Sequence, residues 1–164
     1  MKITVEAILA KRPCLGWTEE RLRTFIGNGK TLSECLRLRG VSDGDKIWCV
    51  SRFLPDKVNR KFAIWCARQC KTKLKEIKDF IDVTEKFYNG EATKEELILA
   101  DKTACRKAFR TADWMAYNAA YNAAYSGAYW AAYNAVYSTS YSGAMFKKQL
   151  RKLKEIVQAL EGGE

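Results

Sequence analysis

The chain predicts an all-α fold, a helical bundle, and three observations carry that reading. Its 164 residues hold only two prolines, Pro13 and Pro55, and ten glycines, so long stretches are free of helix breakers. Runs rich in Ala, Lys, Glu and Leu, all good helix formers, recur along it. Neither a βαβ alternation nor a spaced strand-and-turn pattern is present. The length suits a single domain over residues 1–164, large enough to bury a core.

Residues 1–55 read as several short helices. Thr18 precedes Glu19-Glu20, whose charges suit the positive end of a helix, and Gly27-Asn28-Gly29 ends it. Thr31 caps the next helix, which stops at Gly40. Ser42 with Asp45 three residues on resembles a capping box and opens a helix through Ile47, Trp48 and Phe53. Pro55 closes the segment.

Residues 57–89 read as a long amphipathic helix, or two collinear ones. Cys66, Cys70, Leu74, Ile77 and Ile81 recur at helical spacing and mark one buried stripe. The other face is basic: Lys57 to Lys78 holds eight Lys or Arg against one acid, Glu76. Asn89-Gly90 supplies a stop, and Thr93-Lys94-Glu95-Glu96 is a capping box that starts the next helix.

Residues 93–160 carry the repeat. Seven of the eight tyrosines stand one every fourth residue, from Tyr117 through Tyr121, Tyr125, Tyr129, Tyr133 and Tyr137 to Tyr141. They lie in a charge-free run from Trp114 to Phe146, inside a chain of net charge +10. One unbroken helix here would be roughly 85–100 Å long at 1.5 Å per residue, more than a compact domain of this size accommodates. The segment therefore folds back or the protein is elongated. Two similar phrases, Ala120–Ala128 and Val136–Ala144, mark where a break can fall, and the second is the weaker helix former. The expectation is a long, buried Tyr/Ala-rich helix broken near residues 138–143. Phe146, Leu150, Leu153, Val157 and Leu160 then form a last amphipathic helix.

A period of four drifts by about 40° per step on an ideal helix, so the tyrosine stripe winds around it. Two readings stand side by side. In one, the helix is a central core element with tyrosines packed between small residues. In the other, the rings line a groove and stack on bases or other flat groups. Arg106, Lys107 and Arg110 run directly into the ladder, and Arg106 and Arg110 share a helix face. Guanidinium groups beside aromatic rings suit a ligand with a phosphate and a flat base. The candidate ligand-binding residues are Arg106 and Arg110 for phosphate and Trp114, Tyr117 and Tyr121 for stacking, with Asn118 and Asn122 for polar recognition.

Catalysis finds little support. The chain has no histidine, which removes the commonest general base and the Ser-His and Cys-His pairs. It shows no phosphate-binding loop, dinucleotide fingerprint or paired-carboxylate motif. Its six cysteines lack C-x-x-C spacing, and with no apolar leader at the N-terminus they read as reduced thiols in a cytoplasmic protein with no metal and no cofactor. The charge-free run is long enough to span a bilayer, but Asn118, Asn122 and Asn134 argue against it. The sequence pI of about 9.4 predicts attraction to anions.

Phe62-Ala63-Ile64-Trp65-Cys66-Ala67, then Phe87-Tyr88-Asn89-Gly90-Glu91-Ala92-Thr93-Lys94-Glu95-Glu96-Leu97, then the alanine-rich repeat run form a recognisable series. It resembles the immunity proteins of the immunity-five-like family of bacteria and their phages. Those proteins share an A-x-x-C-A helix, a G-E-x-T-x-E-E-L turn and an alanine repeat tail. The resemblance covers about the last two-thirds of the chain and departs from the family in its tyrosine-laden repeat. It implies a non-enzymatic role in conflict between bacteria, toxins and phages, and no catalytic residues. The expected function is binding and sequestration, in immunity or anti-defence, of a host defence or toxin protein or of an anionic, nucleotide-like signal. Alternatives are a nucleic-acid-binding protein using its basic helices and aromatic ladder, and a helical assembly protein that forms a homo-oligomer.

Overall fold

The computed structural model of the chain describes residues 2–127, 130–131, 134 and 143–162. The expected break at 138–143 and the tyrosines Tyr129, Tyr133, Tyr137 and Tyr141 lie outside the described residues. Among the described residues the regular structure is helical, with one isolated antiparallel bridge between Ile3 and Lys30. None of these helices is long and apolar enough to cross a membrane. The chain divides into two compact units, Met1–Leu54 with Phe146–Glu164, and Pro55–Met145.

The first unit begins with four short helices: α1 (Val5–Leu9), α2 (Glu19–Ile26), α3 (Leu32–Leu36) and α4 (Asp43–Ser51). A side-chain hydroxyl starts each one. Thr4, Thr18, Thr31 and Ser42 accept from the backbone N–H groups of Ala7, Arg21, Glu34 and Asp45. At Thr31 the Glu34 carboxylate also reaches back to the cap N–H at 2.7 Å, completing a capping box. Ile3, Ile8, Leu36, Ile47 and Val50 are almost wholly buried. The last helix, α9 (Gly143–Glu161), buries Leu150, Leu153 and Val157, one face at spacings of three and four. Its Glu161 carboxylate accepts the Ser33 N–H at 3.3 Å, which ties α9 to α3.

The second unit holds α5 (Asp56–Arg68), α6 (Lys75–Asn89), α7 (Lys94–Thr111) and α8 (Trp114–Tyr125). Of the two expectations for 57–89, one long helix or two, the chain forms two, separated by residues 69–74. Thr72 sits in the separation: its hydroxyl accepts the Leu74 N–H at 3.0 Å, an alternative to helix that short hydroxylated side chains offer. Cys70 therefore lies past the end of α5, while Cys66 stays fully buried within it. α6 stops at Gly90, whose φ of 81° is left-handed and free of a Cβ penalty. The Thr93–Glu96 capping box then launches α7, making α6 and α7 a packed hairpin.

The repeat-bearing segment breaks earlier than residues 138–143. α7 ends at Ala112, left-handed at φ 55°, and α8 ends at Ser126, where ψ of 152° is extended. The first copy of the repeated phrase thus holds a break at Ser126, while residues 136–142 of the second lie outside the described residues. Tertiary partners fix it. The Arg60 guanidinium donates to the Ala123 carbonyl at 2.6 Å and to the Ser126 carbonyl at 2.7 Å. The Tyr88 hydroxyl donates to the Ala124 carbonyl at 2.5 Å. These donors satisfy carbonyls left open at a helix end.

α8 is buried mainly on its alanines. It packs on α5, α6 and α7 through Ala116, Ala119, Ala120, Ala123 and Ala124, each 2% exposed or less. That spacing is one apolar stripe, and its small side chains let the helix axes come close. Of the ladder in α8, Tyr117 is buried, whereas Tyr121 and Tyr125 are 43% and 40% exposed. Within α8 the alanines and Tyr117 join the core, and Tyr121 and Tyr125 edge it, so the two readings of the ladder meet in one helix.

Candidate functional site

Two adjacent rows on α7 build an open concavity of the second unit. Asp101, Cys105 and Phe109 form one row at spacings of four, and Lys102, Arg106 and Arg110 form the next. Together with Tyr117 from α8 they line a groove of ≈ 920 Å³. The inward face of α7, with Leu97, Ala104 and Ala108 buried, leaves those rows outward. Asp113, just before α8, is held by a 2.5 Å hydrogen bond from the Thr72 hydroxyl, and the Asp113 N–H bonds the Ala108 carbonyl at 3.2 Å. These contacts fix the short turn that carries Tyr117 to the groove wall.

Aromatic rings continue from the groove along α8. Phe109 meets Trp114 edge-to-face at 6.0 Å between centroids, and Trp114 meets Tyr117 at 5.9 Å. Tyr117 is 5.9 Å from Tyr121, and Tyr121 is 5.0 Å from Tyr125. Phe80 of α6 backs Tyr117 and Tyr125 at 6.3 and 6.2 Å. Phe109 remains 74% exposed at the groove, a large apolar ring held in water by its position on α7.

The electrostatics of the groove are basic with one exception. Lys102, Arg106 and Arg110 face a single carboxylate, Asp101, among the described lining residues. Neither Arg106 nor Arg110 forms an ion pair with a described residue, whereas Lys107, one position on, pairs with Glu76 at 3.6 Å. Asp101 accepts the Tyr117 hydroxyl at 2.8 Å. Burial raises the Tyr117 pKa above the ordinary tyrosine value, and its bond to the negative Asp101 adds to the rise. The hydroxyl therefore stays protonated and donating.

The sequence-derived residues do not all converge. Arg106, Arg110 and Tyr117 line the groove, and Trp114 and Tyr121 flank Tyr117. Asn118 and Asn122 do not join them. Asn122 is occupied within its own helix end: its amide donates to the Asn118 carbonyl at 2.9 Å, and its carbonyl accepts from Ser126 at 3.0 Å and Asn134 at 3.4 Å. Asn118 is exposed and is not among the residues lining the groove. The polar residues that line the groove beside the arginines are instead Asp101 and Lys102, which sequence reasoning missed. Extending the Arg106–Arg110 row back one turn reaches Lys102, and the neighbouring row supplies Asp101, Cys105 and Phe109.

Among the described residues no cluster of three or more His, Cys, Asp or Glu side chains could hold a metal ion. Compared with protein-family models, with curated proteins and with solved structures, the chain matches none.

Proposed function

We propose that the protein is a non-enzymatic binding protein whose α7–α8 groove takes an anionic ligand bearing a flat ring, such as a nucleotide. One observation carries the reading: Arg106 and Arg110, without ion pairs among the described residues, share a groove with the exposed ring of Phe109. Guanidinium groups bind phosphate through charge-assisted hydrogen bonds, and an aromatic face receives a base. Sequestering such a ligand suits the immunity or anti-defence role that the family resemblance implies.

The test is binding of nucleotides by calorimetry, in the chain and in the Arg106→Ala/Arg110→Ala variant. Both arginines are exposed, so the variant keeps its helical circular dichroism spectrum. Affinity should fall at least about a hundredfold, from roughly 1.5 kcal/mol or more per charged hydrogen bond. Unchanged affinity places the ligand elsewhere.

A second reading draws on Tyr121 and Tyr125, whose exposed rings extend the platform beyond one base. A single-stranded nucleic acid would use that length. Its affinity would fall steeply with salt, whereas a small ligand's would fall more gently.

A further inference from the structure

The groove contains one group that an anion site by itself does not explain. Asp101 places a carboxylate among three cations, where it opposes any ligand that presents only acceptors. It is half-buried, and the Tyr117 hydroxyl bonds one of its oxygens at 2.8 Å and so fixes its orientation. The Tyr125 hydroxyl bonds it as well, so of the about four lone-pair sites of an ionised carboxylate about two stay open, enough for one paired-donor edge.

We propose that the groove selects guanine nucleotides, with Asp101 accepting the paired N–H donors of the guanine edge and Arg106 and Arg110 holding the phosphates. The assignment rests on the nucleotide reading given above and names the base. Guanine alone among the common bases carries two adjacent donors, N1–H and the N2 amine. Adenine and cytosine set a ring acceptor beside their amine, and uracil sets its single N–H between two carbonyls. Those acceptors would face the carboxylate. Lys102, in the row next to Asp101, offers a donor to the guanine carbonyl.

The spacing along α7 agrees. At 1.5 Å rise per residue, Arg106 lies about 7.5 Å and Arg110 about 13.5 Å along the axis from Asp101. That places one guanidinium at the reach of a first phosphate and the other at the reach of a second. Tyr117, bonded to Asp101, stands at the base end as a face for the ring, and Phe109, about 12 Å along the axis from Asp101, walls the far end of the groove. The groove's ≈ 920 Å³ falls within the usual size of a small-molecule site.

The experiment is titration calorimetry of the intact chain with GDP, IDP, ADP and inorganic phosphate, repeated with Asp101→Asn. GDP should bind about five- to a hundredfold more tightly than ADP, the range of one good bidentate base contact. IDP, which lacks the N2 amine, should fall between them. Asparagine still accepts the Tyr117 hydroxyl but turns a donor toward the base, so the variant should lose the preference, GDP falling to the level of ADP. Equal binding of GDP and ADP, or a preference that survives Asp101→Asn, overturns the guanine assignment and leaves the groove reading standing. If no nucleotide binds the unaltered chain, the groove reading falls and this assignment with it.

Discussion

The Thr72 hydroxyl donates to the Asp113 carboxylate at 2.5 Å and so joins two breaks in the chain that lie 41 residues apart. One break separates α5 from α6, and the other separates α7 from α8. The same oxygen accepts the Leu74 N–H, so a single side chain serves both turns. Asp113 also reaches Cys70, where burial first and that negative charge second push the thiol pKa up to about 11.

Removing this oxygen should therefore cost more than a surface threonine usually does. Thr72→Val should destabilise the protein by about 1.5–3 kcal/mol, the range for a hydrogen bond to a charged group. Thr72→Ser should retain most of that stability. Urea denaturation of the two variants measures the difference.

The placement of alanines and tyrosines on α8 predicts an order of mutational effects. Ala119 and Ala120 are wholly buried, so Ala119→Leu or Ala120→Leu forces extra volume into a packed seam and should cost about 1–3 kcal/mol. Tyr121→Ala removes a ring that is 43% exposed and should cost less. A ladder packed as core would give the reverse order, and thermal denaturation of the three variants distinguishes them.

The tyrosines also set an alkaline limit. Burial, and then the negative charge of Asp101, raises Tyr125 from 10.0 to about 12, and Tyr117 is raised further. Tyrosines of the unfolded chain ionise near their ordinary value, so above it the unfolded state holds fewer protons than the folded one. Stability should be flat with respect to these groups below about pH 10 and fall as pH rises from 10 toward 12. Tyrosinate absorbance in an alkaline titration should show these two hydroxyls ionising late, with Tyr117 rising only on unfolding.

Much of the fold is legible along the sequence where one residue acts on its neighbours. The capping hydroxyls of Thr18, Thr31, Ser42 and Thr93 and the left-handed Gly90 all lie within a few residues of what they terminate. The breaks at 69–74 and at Ser126 are different. Their partners, Asp113 for Thr72 and Arg60 for Ser126, come from 41 and 66 residues away, and local propensity carries no trace of them. For the groove, Arg106, Arg110 and Tyr117 were readable from charge meeting aromatic residues. Asp101 was not, because an acid next to a lysine on an exposed helix reads as ordinary solvated surface.

The five-methyl seam of α8 separates two demands that most helices must meet with the same side chains. The alanines hold the helix in place, and Tyr121 and Tyr125 beside them are largely relieved of that duty. Exchanging Tyr121 or Tyr125 for another ring, or for a polar residue, would then re-letter the surface while the scaffold endures. At these two positions the surface can change its chemistry by single substitutions, each a small step that keeps the protein folded.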